Sequence, residues 1–246
     1  MELIKSLILF GSAFLGGMAV FFVTKSSTKN LKLILSFSGA YLFAICALHL
    51  MPEVYSSHNP MVGVFVLVGF AFQIILEQFS EGVEHGHIHV HHHEHGAAFP
   101  FGLMISLCLH AFLEALPLAS SEAQNELLFG IAIHHIPAAF ALGSILLQSN
   151  ISKSTTIMML ALFALMSPAG FILSQNLGPN ASGALSQYFD YIMAIVIGIF
   201  LHISTTILFE ASEDHKFNLY KTIAIFLGAG IAITIFFLQD SHGHVH

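Results

Sequence analysis

The chain has 246 residues and a formal charge of -7; 56% of it is hydrophobic and only 9% charged, where an ordinary soluble domain carries roughly a quarter charged residues. That balance excludes a soluble globular domain and a nucleic-acid-binding protein. Several runs of about 20 residues carry no charge, and each is long enough to cross a hydrocarbon layer about 30 Å thick as a helix, so the bilayer is the solvent and lipid the first partner.

Apolar run length predicts eight membrane helices: Leu3–Val23, Leu33–Met51, Val62–Phe79, Ala98–Leu118, Leu127–Leu147, Ile157–Leu173, Phe189–Phe209 and Tyr220–Leu238. The first follows Lys5 as a secretory signal would, but it is too long and ends in no small-residue cleavage pattern. The second carries Cys46 and the fourth Cys108. Neither has the paired spacing of a disulfide framework or a thiolate zinc site, so both read as small interior residues.

The connections alternate in charge. Lys25, Lys29 and Lys32 lie in the first, Lys153 in the fifth, and Lys216 and Lys221 in the seventh. The opposite side holds only Lys5, against Glu53, Glu122, Glu126 and Asp190. The excess of positive charge marks the cytoplasmic face, which puts both termini outside and the third connection inside. That connection, at about 82–97, is a low-complexity tract in which His85, His87, His89, His91, His92, His93 and His95 alternate with small residues and Glu84 and Glu94. Such a composition cannot pack a core and reads as a metal-binding tract. A shorter echo, His242, His244 and His246, closes the chain.

Ionisable residues at mid-bilayer are opposed by about 2.5–3.5 kcal/mol each on insertion scales, so they require a reason. In the third span Glu77 lies four residues before Glu81, near the His-rich tract. In the fourth, His110 and Glu114 share one helical face. The fifth carries His134 and His135 near its middle, and the seventh His202 and Glu210. Imidazole nitrogen with carboxylate oxygen is a ligand set for zinc that iron, manganese, cobalt and nickel also accept. A proline inside a helix leaves the carbonyl four residues earlier without its partner. Pro117 and Pro137 would thus free the carbonyls of Leu113 and Ile133 beside the candidate ligands, as where broken helices line a substrate path.

These residues resemble the ZIP (Zrt/Irt-like) metal transporters along essentially the whole chain. His110 through Ala115 is similar to the family's fourth-helix pattern of His, variable residues, Glu and a small residue. His134 through Gly143 is similar to its fifth-helix pattern, Leu48 through Glu53 to the end of its second helix, and Glu77-Gln78 to the end of its third. The resemblance implies an all-α, eight-helix ZIP-type bundle, one transporter domain over residues 1–246. It implies a secondary carrier moving a divalent transition metal, zinc foremost and iron or manganese within its range, into the cytoplasm across an inner or plasma membrane. His110, Glu114 and His134 would bind the ion, with His135 assisting or gating and His202, Glu77 and Glu81 as further metal contacts. The metal is cargo, and no prosthetic group or enzymatic activity is expected; many members being dimeric, a homodimer is the implied assembly. Where many members carry a carboxylate four residues after the leading fifth-helix ligand, this chain has Ala138, which argues against a second bridged ion.

Two other functions compete. A cation exporter of the diffusion-facilitator type would have six spans and a folded cytoplasmic tail. An intramembrane zinc hydrolase would hold its metal beside a general base, and the sequence has no His-Glu-x-x-His pair.

Overall fold

A computed structural model describes residues 1–22, 28–80, 82–83, 100–119, 123–149, 151–176, 188–210 and 218–243. Glu81, the His-rich tract from His85 to His95, Lys25, Lys216, Glu122, His244 and His246 lie outside the described residues. Every regular element among the described residues is helical. Among the described residues eight helices are long and apolar enough to cross a membrane, as the run lengths predict. In chain order they are α1 (Glu2–Met18), α2 (Thr28–Ile45), α3 (Met61–Ser80), α4 (Phe101–Glu114), α5 (Gln124–Gln148), α6 (Lys153–Gln175), α7 (Phe189–Glu210) and α8 (Leu219–Gly243).

The second span runs on past its expected end at Met51. Pro52 has no N–H for the carbonyl four residues back, and the chain meets it by widening into a π turn over Cys46–Leu50, in which the Met51 N–H bonds the Cys46 carbonyl. A last α turn over Met51–Tyr55 then continues the same rod.

The helices pack in two groups. In one, α1 lies along α5 and α6, and α4 packs on α6; in the other, α2 lies along α8 and α7, and α3 along α7. The groups meet where α2 crosses α5 and α3 crosses α4. Tyr41 and Ile45 of α2, Ile131 of α5 and Phe200 of α7 fill the seam in one apolar cluster. Leu107 of α4, Leu142 of α5 and Leu160 and Phe163 of α6 form a second, inside the first group.

Lipid tails are as apolar as leucine, so the helices are held by close packing and by small residues that let backbones approach. Between α3 and α7 a Cβ on Gly69 would fall 1.9 Å from the Ile195 carbonyl oxygen, and one on Gly198 2.0 Å from that of Val66. The same device joins α6 to α4, where a Cβ on Gly170 would fall 2.1 Å from the Phe112 carbonyl oxygen. Burial ranks the spans: 72% of the most apolar stretch of α5 is enclosed against 11% of that of α8. The helix that carries His134 and His135 is thus the most enclosed of the eight.

Candidate metal site

The α-helical part of α4 ends at Glu114, and the chain tightens into a 3-10 turn over Leu116–Ala119 that contains Pro117. Pro117 therefore sits beyond the helix and not within it. The Leu113 carbonyl, which the sequence would leave free, accepts the N–H of Ala115. The last carbonyls of any helix lack intrahelical partners, and here α6 supplies two. Ser167 Oγ donates to the Ala111 carbonyl at 3.0 Å, and Ser174 Oγ donates to that of Leu116. Pro137 does lie inside α5 and offers no N–H to Ile133.

One turn of α4 separates His110 from Glu114, and His110 Nε2 stands 3.3 Å from Glu114 Oε1. His134 reaches the same oxygen from α5, with Nε2 at 3.9 Å. One ligand atom from each of His110, Glu114 and His134 can be chosen so that all lie within 4.8 Å of one another, a grouping that could close around a single metal ion. His110 is 1% exposed; Glu114, His134 and His135 are fully buried. Neither ring nitrogen of His134 nor Oε1 of Glu114 has a hydrogen-bond partner among the described residues. A buried polar atom without a partner is costly, and a dication between these donors would satisfy His134 and Glu114 together. His135 takes the other carboxylate oxygen, its Nε2 3.0 Å from Oε2.

His202 and Glu77 do not join this cluster. They meet each other across α7 and α3, Nε2 to Oε2 at 2.5 Å. Thr206 Oγ1 is 3.5 Å from the same nitrogen, and Phe70 lies edge-on against the ring. Ser106 Oγ donates to the Leu76 carbonyl at 2.7 Å, which sets the Glu77 region of α3 beside α4 one turn before His110. The pair thus lies near the main cluster, displaced toward the end of the bundle where the His-rich connection joins α3 to α4.

Among the residues around the site, sequence reading missed Ser167, Ser106 and Thr206. Each is a small hydroxyl inside an apolar run, and nothing in the linear sequence tells which carbonyl or ring it meets.

The family model described as ZIP Zinc transporter matches residues 97–235, more than half of the chain and the whole of α4 through α7. The chain belongs to the ZIP family. This ZIP protein is 31% identical over 144 residues to protein zntD of Dictyostelium discoideum, which covers 54% of the chain and 21% of that relative. It is 27% identical over 161 residues to zinc transporter ZIP9 of Xenopus tropicalis, covering 61% of the chain and 52% of the relative. Zinc transporter ZIP9-A of Xenopus laevis matches to the same extent. The chain spans about a fifth to a half of the length of these curated relatives. Like other ZIP proteins it is a multi-pass membrane protein, and the His110–Glu114–His134 cluster falls within the matched segment.

Proposed function

We propose that this chain carries a divalent transition metal, zinc foremost, across the membrane into the cytoplasm as a single domain over residues 1–246. The observation that carries the reading is the buried cluster of His110, Glu114 and His134, two imidazoles and a carboxylate from adjacent helices with unsatisfied donor atoms on His134 and Glu114. Membership of the ZIP family and the zinc named in its relatives support the choice of cargo.

Binding follows from the donor set. Two imidazole nitrogens and one carboxylate oxygen give three of the four positions zinc prefers and leave one open for exchange. A dication held by one carboxylate leaves the site with about one excess positive charge in a medium that penalises charge. Retention is therefore weak, as a carrier needs. The His202–Glu77 pair offers one nitrogen and one oxygen as a second stop toward the inner end, followed by Glu81 and the His-rich connection. The six lysines of the first, fifth and seventh connections support a cytoplasmic location for that end, and the resemblance to the family supplies the inward direction and a homodimeric assembly.

Cells expressing the chain should accumulate zinc relative to cells carrying the Glu114→Ala variant. Depletion of cellular zinc would reverse the direction and favour an exporter.

A further inference from the structure

His135 follows His134 in sequence, yet it addresses the opposite side of the carboxylate. Its Nε2 is 3.0 Å from Oε2 of Glu114, whereas His110 and His134 face Oε1. The rest of its ring is held by α6. Phe163 lies edge-on, with ring centroids 6.1 Å apart at 65°. One turn further on, Ser167 Oγ is 3.5 Å from Nδ1 of the ring and 3.0 Å from the Ala111 carbonyl oxygen. Ala111 belongs to the turn of α4 that carries both His110 and Glu114. A single hydroxyl therefore ties α6 to the ligand-bearing turn and abuts the imidazole from α5, and both Ser167 and His135 are shut off from solvent.

A neutral imidazole has one N–H and one lone pair. When Nε2 donates to Oε2 of Glu114, Nδ1 becomes the acceptor; the one Ser167 proton goes to the Ala111 carbonyl at 3.0 Å, so at 3.5 Å the hydroxyl holds the ring by contact. That arrangement occupies Oε2 with a hydrogen bond and leaves Oε1 turned to His110 and His134. Four residues after His134, the buried side chain of Ala138 is a methyl and supplies no second carboxylate.

Resting on the reading of His110, Glu114 and His134 as the transport site, we infer that His135 and Ser167 are positioning residues and not ligands. They clamp Oε2 of Glu114, so that one ion binds through His110, His134 and a single carboxylate oxygen. Groups that orient a metal ligand from outside the coordination sphere change affinity or activity by about 10- to 100-fold when removed.

The test uses the full chain, purified and reconstituted. X-ray absorption at one zinc per chain, on protein in which the histidines from His85 to His95 are replaced, should count two imidazoles, and adding His135→Ala should leave that count unchanged; loss of one imidazole on adding it makes His135 a ligand and overturns the inference. Zinc uptake by Ser167→Ala should show KM raised about 10-fold or more with the maximal rate little altered, and Ser167→Thr should restore KM. His135→Gln, which keeps a donor toward Oε2, should retain lower KM than His135→Ala, a split that guards against Ser167→Thr failing through its added bulk. Unchanged KM in both Ser167→Ala and His135→Ala overturns the clamp. Wild-type protein that neither binds nor moves zinc removes the transport reading, and the clamp with it, whereas wild-type flux with unaffected variants removes the clamp alone.

Discussion

His134, on α5, brings its Nε2 to within 3.9 Å of Oε1 of Glu114 on α4. Two helices that the sequence could only place at similar depth thus direct their donors at one point. With His110 at 3.3 Å from the same oxygen, the cluster is complete within α4 and α5. It is enclosed by α1 and α6, which pack along α5 and against α4.

Removing one of the three donors should therefore remove zinc binding at this site without unfolding the chain. Titration calorimetry on purified His134→Ala should show one saturable zinc-binding event fewer than the wild type, with binding by the His-rich connection retained and the same elution volume in size-exclusion chromatography. Wild-type affinity in the variant would show that His134 is an interior residue only.

The α4–α6 contact makes a separate prediction about stability. A side chain at Gly170 would drive into the Phe112 carbonyl and force α6 away from α4, and overpacking of this kind costs about 1–3 kcal/mol. Gly170→Leu should lower the melting temperature in detergent and, by moving Ser167, weaken zinc binding as well. A melting temperature equal to wild type would mean that the two helices are not held at this distance.

In the proposed inward path His202 and Glu77 would act after the main site, so their replacement should act on release more than on capture. His202→Ala and Glu77→Ala should lower the maximal uptake rate in proteoliposomes while leaving KM for zinc on the outer side close to wild type. A rise in KM with unchanged maximal rate would instead place the pair on the entry side.

Protons and a dication compete for imidazole nitrogen, because only the neutral ring binds metal. A lower outer pH favours the proton in that competition and should reduce zinc uptake; raising the pH should restore it. Stimulation at low pH would point to a proton-driven carrier.

Much of this architecture is legible in the sequence, for a physical reason. A span must be long and free of charge, so α1 through α8 can be counted directly. His110 and Glu114 are four apart on one helix and need no tertiary information to be neighbours. The limits appear where partners are distant. The apolar run of the second span ends at Met51, yet the π turn before Pro52 lets the helical rod continue to Tyr55. Pro117 reads as a kink within α4, yet α4 has already ended and Ser167 and Ser174 of α6 cap it. His202 and Glu77 are 125 positions apart and pair only because Gly69 and Gly198 let α3 and α7 touch. Which carboxylate oxygen His135 takes depends on Phe163 and Ser167, so no pattern within α5 reveals it.

The most direct test of the central claim is metal flux into proteoliposomes across a panel of zinc, iron, manganese and cobalt, wild type against Glu114→Gln. The account predicts saturable uptake of one or more of these ions, zinc foremost, that collapses when the carboxylate becomes an amide. Equal flux in the two proteins, or a metal held tightly by the wild type with none crossing the membrane, would contradict it.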